Sequence, residues 1–209
     1  MSLEKNSANK DILDHLLNNN DLTEHFLIGH DNPAREKSNQ EYFYNGLYCL
    51  YKNKLVDAKQ HLLQSLNTTD KVETLFWKSL SFLGLVEVLL YRSNGGLFRC
   101  YEAKKECPDN PEIYLNIAYS EYKLGNRKRC VSTLQQCLKL EPDNKQAHSF
   151  FECIGKKTRR YLIKNIFGNF FRGNKNDCSM TSFNNQIQNY ISITLDSHVK
   201  HTAHQSQYL

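Results

Sequence analysis

Residues 111–144 carry two runs of apolar residues at helical spacing, separated by a short break. The inward face of the first run consists of Tyr114, Ile117, Ala118 and Tyr122. The inward face of the second run consists of Cys130, Val131, Leu134, Cys137 and Leu138. Apolar residues three and four positions apart favour an amphipathic helix, so each run predicts one helix. Gly125 lies in the break, and Pro142 ends the second helix because proline cannot continue one.

The same pattern recurs earlier in the chain at two fixed shifts. A shift of 72 residues superposes one aromatic and two small positions: Tyr42 on Tyr114, Gly46 on Ala118 and Ala58 on Cys130. A shift of 34 residues superposes three more: Gly84 on Ala118, Gly96 on Cys130 and Ala103 on Cys137. Because 72 is twice 34 plus 4, the simplest interpretation is three repeated units, with about four extra residues between the first two.

The small residues at these positions have a physical reason. Two helices packed antiparallel need small side chains where their axes come closest, and large side chains such as Tyr114 and Leu134 fill the flanking grooves. One such pair has too little apolar surface to be stable alone, so the units are expected to stack on each other.

As a whole unit, residues 111–144 resemble a tetratricopeptide repeat. The resemblance rests on an aromatic, a small residue, a glycine turn and a closing proline: Tyr114, Ala118, Gly125 and Pro142. Residues 39–72 are similar, although Asp70 stands where the proline is usual, and residues 73–110 match least well. The resemblance implies an all-α fold, a short right-handed solenoid of three hairpins over 39–72, 73–110 and 111–144. It specifies the fold far better than the function.

The middle unit allows two registers. Leu83-Gly84 and Ala103 fit the repeat if the extra residues precede the unit. Alternatively, Trp77-Lys78-Ser79-Leu80 opens the first helix, which moves the extra residues into the turn at 91–96. The sequence does not decide between these registers.

Both ends of the repeat region are expected to be capped. Residues 1–38 contain short apolar stripes at helical spacing, which predict capping helices followed by a linker into the first unit. Residues 145–172 are expected to form a capping helix followed by a basic amphipathic helix. In that second helix, apolar pairs recur every four residues from Leu162 to Phe171.

The basic amphipathic surface over 156–172 has three interpretations. Its cations are Lys156, Lys157, Arg159, Arg160, Lys164 and Arg172. It is either a cap with solvated charges, a surface for anionic lipid, or a site for nucleic acid or an acidic protein.

Residues 173–209 are polar and are predicted to be a disordered tail, with a weak apolar patch between Ile187 and Leu195. His198, His201 and His204 recur every three residues, but a flexible tail without a fourth ligand does not predict a metal site.

The composition favours a soluble cytoplasmic protein. The first residues are polar and charged, and no apolar run resembles a signal peptide or reaches the length of a bilayer span. The seven cysteines form no C-x-x-C pair, and their odd number argues against a disulfide framework. They are therefore expected to be free thiols that act as small buried hydrophobes.

No motif points to catalysis or to a cofactor. The chain has no phosphate-binding loop, no glycine-rich dinucleotide turn, no G-x-S-x-G and no H-E-x-x-H. No enzyme activity, metal or cofactor is therefore expected.

The resemblance also implies where a partner would bind. In tetratricopeptide domains the first helix of each hairpin lines a concave groove. The groove-facing positions carried over are Phe43, Tyr44, Leu47, Tyr51, Lys78, Phe82, Leu85, Leu89, Leu115, Asn116, Tyr119 and Lys123. Only Asn116 matches the carboxylate clamp with which one branch of the family grips chaperone tails, so that function is not supported. The groove is aromatic and apolar instead, which suits an amphipathic helix or an extended hydrophobic peptide.

These features predict a non-catalytic interaction module, an adaptor or chaperone-like protein that binds a peptide or helix of a partner protein in this groove. The alternative without a binding role is that the N-terminal helices already cover Phe43, Tyr44 and Leu47. The alternative function is a peripheral membrane-associated protein held to an anionic membrane surface by residues 156–172. Nucleic acid is less favoured, since no recognised reading module accompanies the charge. Exposed repeat ends would also allow a homo-oligomer.

Overall fold

A computed structural model describes residues 38–154 and 180–205 of the 209-residue chain. The described residues form eight helices and no strand, which confirms the all-α prediction. The helices are α1 Asn39–Tyr51, α2 Leu55–Thr68, α3 Thr74–Tyr91, α4 Asn94–Glu106, α5 Pro111–Lys123, α6 Arg127–Leu140, α7 over 145–154 and α8 Met180–Gln205.

Local sequence signals set the helix starts. Ser38 and Glu41 form a capping box, in which each side chain accepts a hydrogen bond from the other residue's backbone N–H. Asn110 caps α5 by accepting from the N–H of Glu112, and Pro111 occupies the first turn. Gly125, with φ +86°, makes the left-handed turn between α5 and α6.

Helices α1 to α6 form three consecutive pairs, and each pair packs on the next. Within a pair, small residues mark the closest approach. A Cβ added at Gly46 would lie 2.8 Å from Leu62 Cγ, and one added at Gly84 would lie 2.4 Å from the carbonyl oxygen of Gly96. These approaches explain why glycine is required at both positions.

Gly84 supports the register of the middle unit in which it is the close-approach residue. Gly46 and Ala58, Gly84 and Gly96, and Ala118 and Cys130 are each twelve residues apart, and Ala58, Gly96, Ala118 and Cys130 are all buried. Most of the extra residues lie at the start of α3, where Gly84 is the eleventh residue of its helix while Gly46 and Ala118 are each the eighth. The turn between α3 and α4 contains only Arg92 and Ser93.

Polar side chains inside the core fix how the pairs meet. Ser65 and Ser79 hydroxyls lie 2.9 Å apart across α2 and α3, and Asn116 Nδ2 donates to Ser81 Oγ at 3.0 Å across α5 and α3. The buried carboxyl group of Glu121 accepts from Tyr101 Oη and, at 2.9 Å, from Thr133 Oγ1. Buried polar groups need such partners, so these contacts favour one arrangement of the helices.

The prediction of a disordered tail over 173–209 is wrong for residues 180–205, which form α8. The predicted weak apolar patch that begins at Ile187 is part of a longer helical stripe, since Phe183 lies four residues before Ile187 and Tyr190 three residues after it. Because burial of those residues needs a surface supplied by other helices, composition alone underestimated the order of this segment.

The expectation that all cysteines are free is also wrong. Cys49, Cys100, Cys107, Cys130 and Cys137 are free, whereas Cys153 is disulfide-bonded. The positions of cysteines along the sequence do not show which sulfur atoms are close in space. An odd number of cysteines therefore does not exclude a single disulfide bond.

Three predictions lie outside the described residues. They are the capping helices and linker up to residue 37, the basic amphipathic surface at 156–172, and the polar end after residue 205. The histidines at 198, 201 and 204 lie on α8, but only its backbone is described there.

Among the described helices, α3 alone has the length and apolar composition to cross a membrane. Half of it is buried inside the protein. It contacts α2, α4 and α5, which is the position of a core helix, and core helices pass the same test of length and composition.

Candidate binding groove

The first helices of the three pairs, together with α7, present a set of aromatic rings to α8. This surface, here called the aromatic groove, consists of Phe43 on α1, Phe82 on α3, Tyr119 and Tyr122 on α5, and Phe150 on α7. All but Tyr122 are at most 1% exposed. The rings occupy different positions of the successive pairs, since the shift of 72 residues aligns Phe43 with Leu115 and Leu47 with Tyr119. The packing of the helices brings these rings to one surface.

An amphipathic helix of the same chain fills the aromatic groove. The inward stripe of α8, here called the anchor set, consists of Phe183, Ile187, Tyr190 and Ile191. These residues are 0 to 5% exposed, whereas Asn184, Asn185, Gln188 and Asn189 are exposed. Spacing of four, three and one residues places the anchor set on one face of a helix.

Tyr190 makes the central contacts of α8. Its ring stacks on Phe82, with centroids 5.9 Å apart, and on Tyr119, with centroids 5.5 Å apart. Phe82 also meets Phe43 edge-on at 5.7 Å. One side chain of α8 therefore contacts the second and third helix pairs directly, and through Phe82 it is continuous with the first.

Phe183 anchors the other end of the contact. It stacks on Tyr122 at 5.0 Å and meets Tyr119 edge-on at 6.1 Å. Tyr119 in turn stacks on Phe150 of α7 at 4.2 Å. Ring pairs at such separations contribute about 0.5–1.5 kcal/mol each beyond the burial of their area.

Hydroxyl groups complete the contact with hydrogen bonds at its edges. Tyr119 Oη donates to the backbone oxygen of Gln186 at 3.3 Å, and Tyr190 Oη donates to the backbone oxygen of Glu112 at 3.4 Å. Ser149 Oγ donates to Gln186 Oε1 at 3.1 Å. The two tyrosine bonds are long, so apolar burial and ring stacking account for most of the contact.

The structure buries most of the groove positions that the resemblance implied. Seven of the twelve are buried: Phe43, Leu47, Phe82, Leu85, Leu115, Asn116 and Tyr119. The other five, Tyr44, Tyr51, Lys78, Leu89 and Lys123, are half-buried. Phe82 and Tyr119 contact α8 directly, and Phe43 and Leu47 belong to the same core cluster as the anchor set.

Two of the polar groove positions are already engaged with other parts of the repeat region. Lys78 Nζ lies 2.6 Å from Glu112 Oε2, which pairs α3 with α5. Asn116 donates to Ser81 and is fully buried. The side chain that matched a carboxylate-clamp position therefore belongs to the interior.

Sequence reasoning missed Tyr122, Phe150 and the whole anchor set. Tyr122 was predicted only as part of the inward face of its helix, and Phe150 falls in the predicted capping helix that begins at residue 145. Phe183, Ile187 and Tyr190 are at helical spacing, but the residues between them are polar, and the polar composition of the segment led to the prediction of disorder.

The ammonium group of Lys123 lies at the end of the groove that holds Phe183. Lys123 Nζ is 5.8 Å from the centre of the Phe183 ring. Partial burial and the nearby positive charge of Arg92 lower the pKa of Lys123. Within the described residues neither Lys123 nor Arg92 forms an ion pair.

The thiols and phenols of the core are poor nucleophiles and bases. Burial raises the pKa of Cys100 to about 12 and, with the charge of Glu141, that of Cys137 to about 12. Burial also raises the pKa of Tyr119 and Tyr190 well above the ordinary value. No group of three metal-ligating side chains occurs within the described ranges. The arrangement is suited to packing and not to proton transfer or thiolate chemistry.

Comparisons of this chain with protein-family models, with curated proteins and with solved structures find no match. The aromatic groove and its occupant therefore carry the functional argument.

Proposed function

We propose that this chain is a non-catalytic interaction module in which a tetratricopeptide-like stack of helical hairpins binds an amphipathic α-helix of a partner protein. The partner helix would occupy the aromatic groove. The observation that carries the proposal is α8, which is itself an amphipathic helix lying in that groove with its anchor set inward.

The tetratricopeptide-like arrangement is supported by the repeated geometry of the pairs. Close-approach residues recur twelve residues apart in each pair, and each pair packs on the next. The first helices, α1, α3 and α5, carry the groove residues, which is the relationship that the family resemblance implies.

Helix binding is supported by the depth of the groove contact. Burial of one Phe, Tyr or Ile side chain contributes about 1.5–3 kcal/mol, and the anchor set contains four. Ordering a helix and its side chains removes much of that gain. The difference between the burial gain and the ordering cost is expected to give a reversible interaction with a micromolar dissociation constant. Such an affinity suits an adaptor or a chaperone-like protein.

A non-catalytic role is supported by the chemistry of the groove walls. The rings of Phe43, Phe82, Tyr119 and Phe150 offer apolar area, and among them only Tyr119 carries a hydroxyl group. Neither the raised pKa of Tyr119 nor the buried thiols provide an activated group at neutral pH.

The test is binding of a helix in trans. The probe is a fluorescein-labelled peptide with the sequence of residues 180–205, and the binding partner is the full chain carrying Phe183→Ala and Tyr190→Ala, which weaken the resident helix. Anisotropy should rise at micromolar chain concentrations. Wild-type chain should bind about 100-fold more weakly, because its tethered α8 competes at an effective concentration on the order of 1 mM.

A peptide with the same two alanine substitutions is the matched control and should not bind. Circular dichroism of the double variant checks that its helices persist. If they do persist and no anisotropy change occurs with the parent peptide, the proposed function is wrong. If they do not, hydrogen exchange of wild-type chain with excess peptide, as described at the end of the Discussion, gives the answer instead.

A further inference from the structure

The resident helix provides no charge to the groove. Residues 181–195 contain no Lys, Arg, Asp or Glu, and the first acidic residue of this part of the chain is Asp196. The anchor set spans residues 183–191, so the whole contact on the α8 side is neutral.

The groove itself is positive beside the first anchor. Lys123, at the end of α5, holds its ammonium 5.8 Å from the Phe183 ring, and Arg92, at the end of α3, adds a second positive charge close enough to act on Lys123. The Lys123 side chain is partly buried. Within residues 38–154 and 180–205 neither cation has an ion-pair partner, so an acidic side chain beside Lys123 would offset the repulsion between the two positive charges.

We infer that α8 is a resident competitor for the groove, and that the partner it excludes is an amphipathic helix carrying an acidic side chain next to its aromatic anchor. This inference rests on the proposed function, since it specifies the ligand of the same groove. The partner helix supplies an aromatic residue, an aliphatic residue four positions later and an aromatic or aliphatic pair at seven and eight positions. Its acid pairs with Lys123.

Competition follows from the identity of the surfaces. The rings that would receive a partner's anchors, Phe82, Tyr119 and Tyr122, are those that Tyr190 and Phe183 already cover. A partner helix can reach them only when α8 leaves. A partner that adds one ion pair to the same apolar contacts binds more tightly than an equivalent neutral helix, and this difference favours exchange over permanent closure.

The experiment compares two peptides that differ only in charge. Both have the sequence 180–205, with Asn184→Glu in one and Asn184→Gln in the other; Asn184 is exposed and follows Phe183. Each is titrated as a competitor against the labelled parent peptide on full-length wild-type chain and on full-length Lys123→Gln. The tethered α8 weakens both peptides by the same factor, so their ratio reports the charge alone.

The Glu peptide should bind wild-type chain roughly threefold to fivefold more tightly than the Gln peptide, the range of a partly exposed ion pair. The ratio should fall toward one in Lys123→Gln and at high salt. Any effect of Glu on the helicity of the free peptide is the same for both chains, so the comparison removes it.

A ratio that is equal in the two chains overturns the inference, even if both peptides bind and the proposed function stands. If no peptide binds either chain, the proposed function is wrong as well. Light scattering at the working concentration separates a further case. If the chain is a dimer that the peptides convert to monomer, the excluded occupant is the α8 of a second copy, and the inference of an acidic partner is wrong.

Discussion

Tyr190 and Tyr119 stack with ring centroids 5.5 Å apart and planes 21° from parallel, although 71 positions separate them in the sequence. Both rings are at most 1% exposed. Tyr119 belongs to a helix of the repeat region and Tyr190 to α8. This pair therefore connects the predicted groove with its unpredicted occupant, and most of the expectations below depend on it.

Removing the Tyr190 ring should release α8. Tyr190→Ala deletes a fully buried aromatic side chain, a change that typically costs about 3–5 kcal/mol. Hydrogen exchange of the amides between 183 and 195 should accelerate by about 100-fold or more, while α3 and α5 keep most of their protection.

Tyr190→Phe is the matched control, since it removes only the 3.4 Å hydrogen bond to Glu112. It should change the exchange of α8 by less than about tenfold. Unchanged protection of α8 in Tyr190→Ala would show that the ring stack does not hold the helix in the groove.

Gly84→Ala should destabilise the whole repeat region. A Cβ at this position would lie 2.4 Å from the Gly96 carbonyl oxygen and 2.7 Å from Cys100 Sγ, so α3 and α4 would have to separate. Overpacking of this kind costs about 1–3 kcal/mol, and alanine regains only part of it through helix propensity. A clear fall in the urea midpoint is expected.

Gly95→Ala is the control, because Gly95 lies on the same helix as Gly96 but is exposed, and a Cβ added there would meet only the Ser93 hydroxyl oxygen, at 3.2 Å, and no backbone atom. The free energy of unfolding of this variant should change by less than about 0.5 kcal/mol. Equal effects of the two substitutions would contradict the close approach of α3 and α4.

Thr133→Val should expose the importance of the buried Glu121 carboxyl group. The substitution removes a donor 2.9 Å from Glu121 Oε2 and leaves the buried acceptor with fewer partners. A loss of about 1–3 kcal/mol in the free energy of unfolding is expected. Thr74→Val, on the exposed start of α3, should have little effect. If both cost the same in chemical denaturation, the hydrogen bond to Glu121 is not a stabilising contact.

Stability should fall in alkali because of the buried thiol of Cys100. Burial raises its pKa to about 12, above the ordinary value near 9 that applies in the unfolded chain. Between about pH 9 and 12 the unfolded state has lost a proton that the folded state keeps, so unfolding becomes more favourable as pH rises. One such group contributes a slope of about 1.4 kcal/mol per pH unit in this window, and none below it.

Urea unfolding at several values between pH 8 and 11 measures this slope. Cys100→Ala should flatten it by about one proton, even if the substitution lowers stability at neutral pH. An identical slope in the variant and in wild-type chain would mean that the thiol does not titrate as its burial predicts.

The sequence predicted the helices and several core positions because those signals are local or periodic. Tyr114, Ala118 and Leu134 repeat at helical spacing, and Gly46 and Gly84 mark positions where only a missing side chain allows two helices to meet. Composition alone did not place the extra residues of the middle unit. The 2.4 Å approach of a Gly84 Cβ to Gly96 supports one of the two registers that the sequence left open.

The occupant of the groove was not predicted, for a physical reason. Taken alone, α8 is polar, with four buried anchors among Asn, Gln, Ser and Thr, and an isolated helix of that composition is marginal in water. Its order comes from the rings of Phe82, Tyr119 and Tyr122, which lie far away in the sequence. The disulfide bond of Cys153 was missed because spacing does not report distance.

The central claim is that one groove serves both α8 and a helix in trans, and hydrogen exchange of full-length wild-type chain tests it most directly. The probe is the Asn184→Glu peptide of residues 180–205, and the exchange of α8 is followed in fragments that contain residue 184, because only these differ in mass between peptide and chain. At saturating peptide the amides of α8 should lose protection while those of α3 and α5 keep theirs. If the peptide saturates a binding signal and α8 stays protected, the helix binds elsewhere and the account of the groove is wrong.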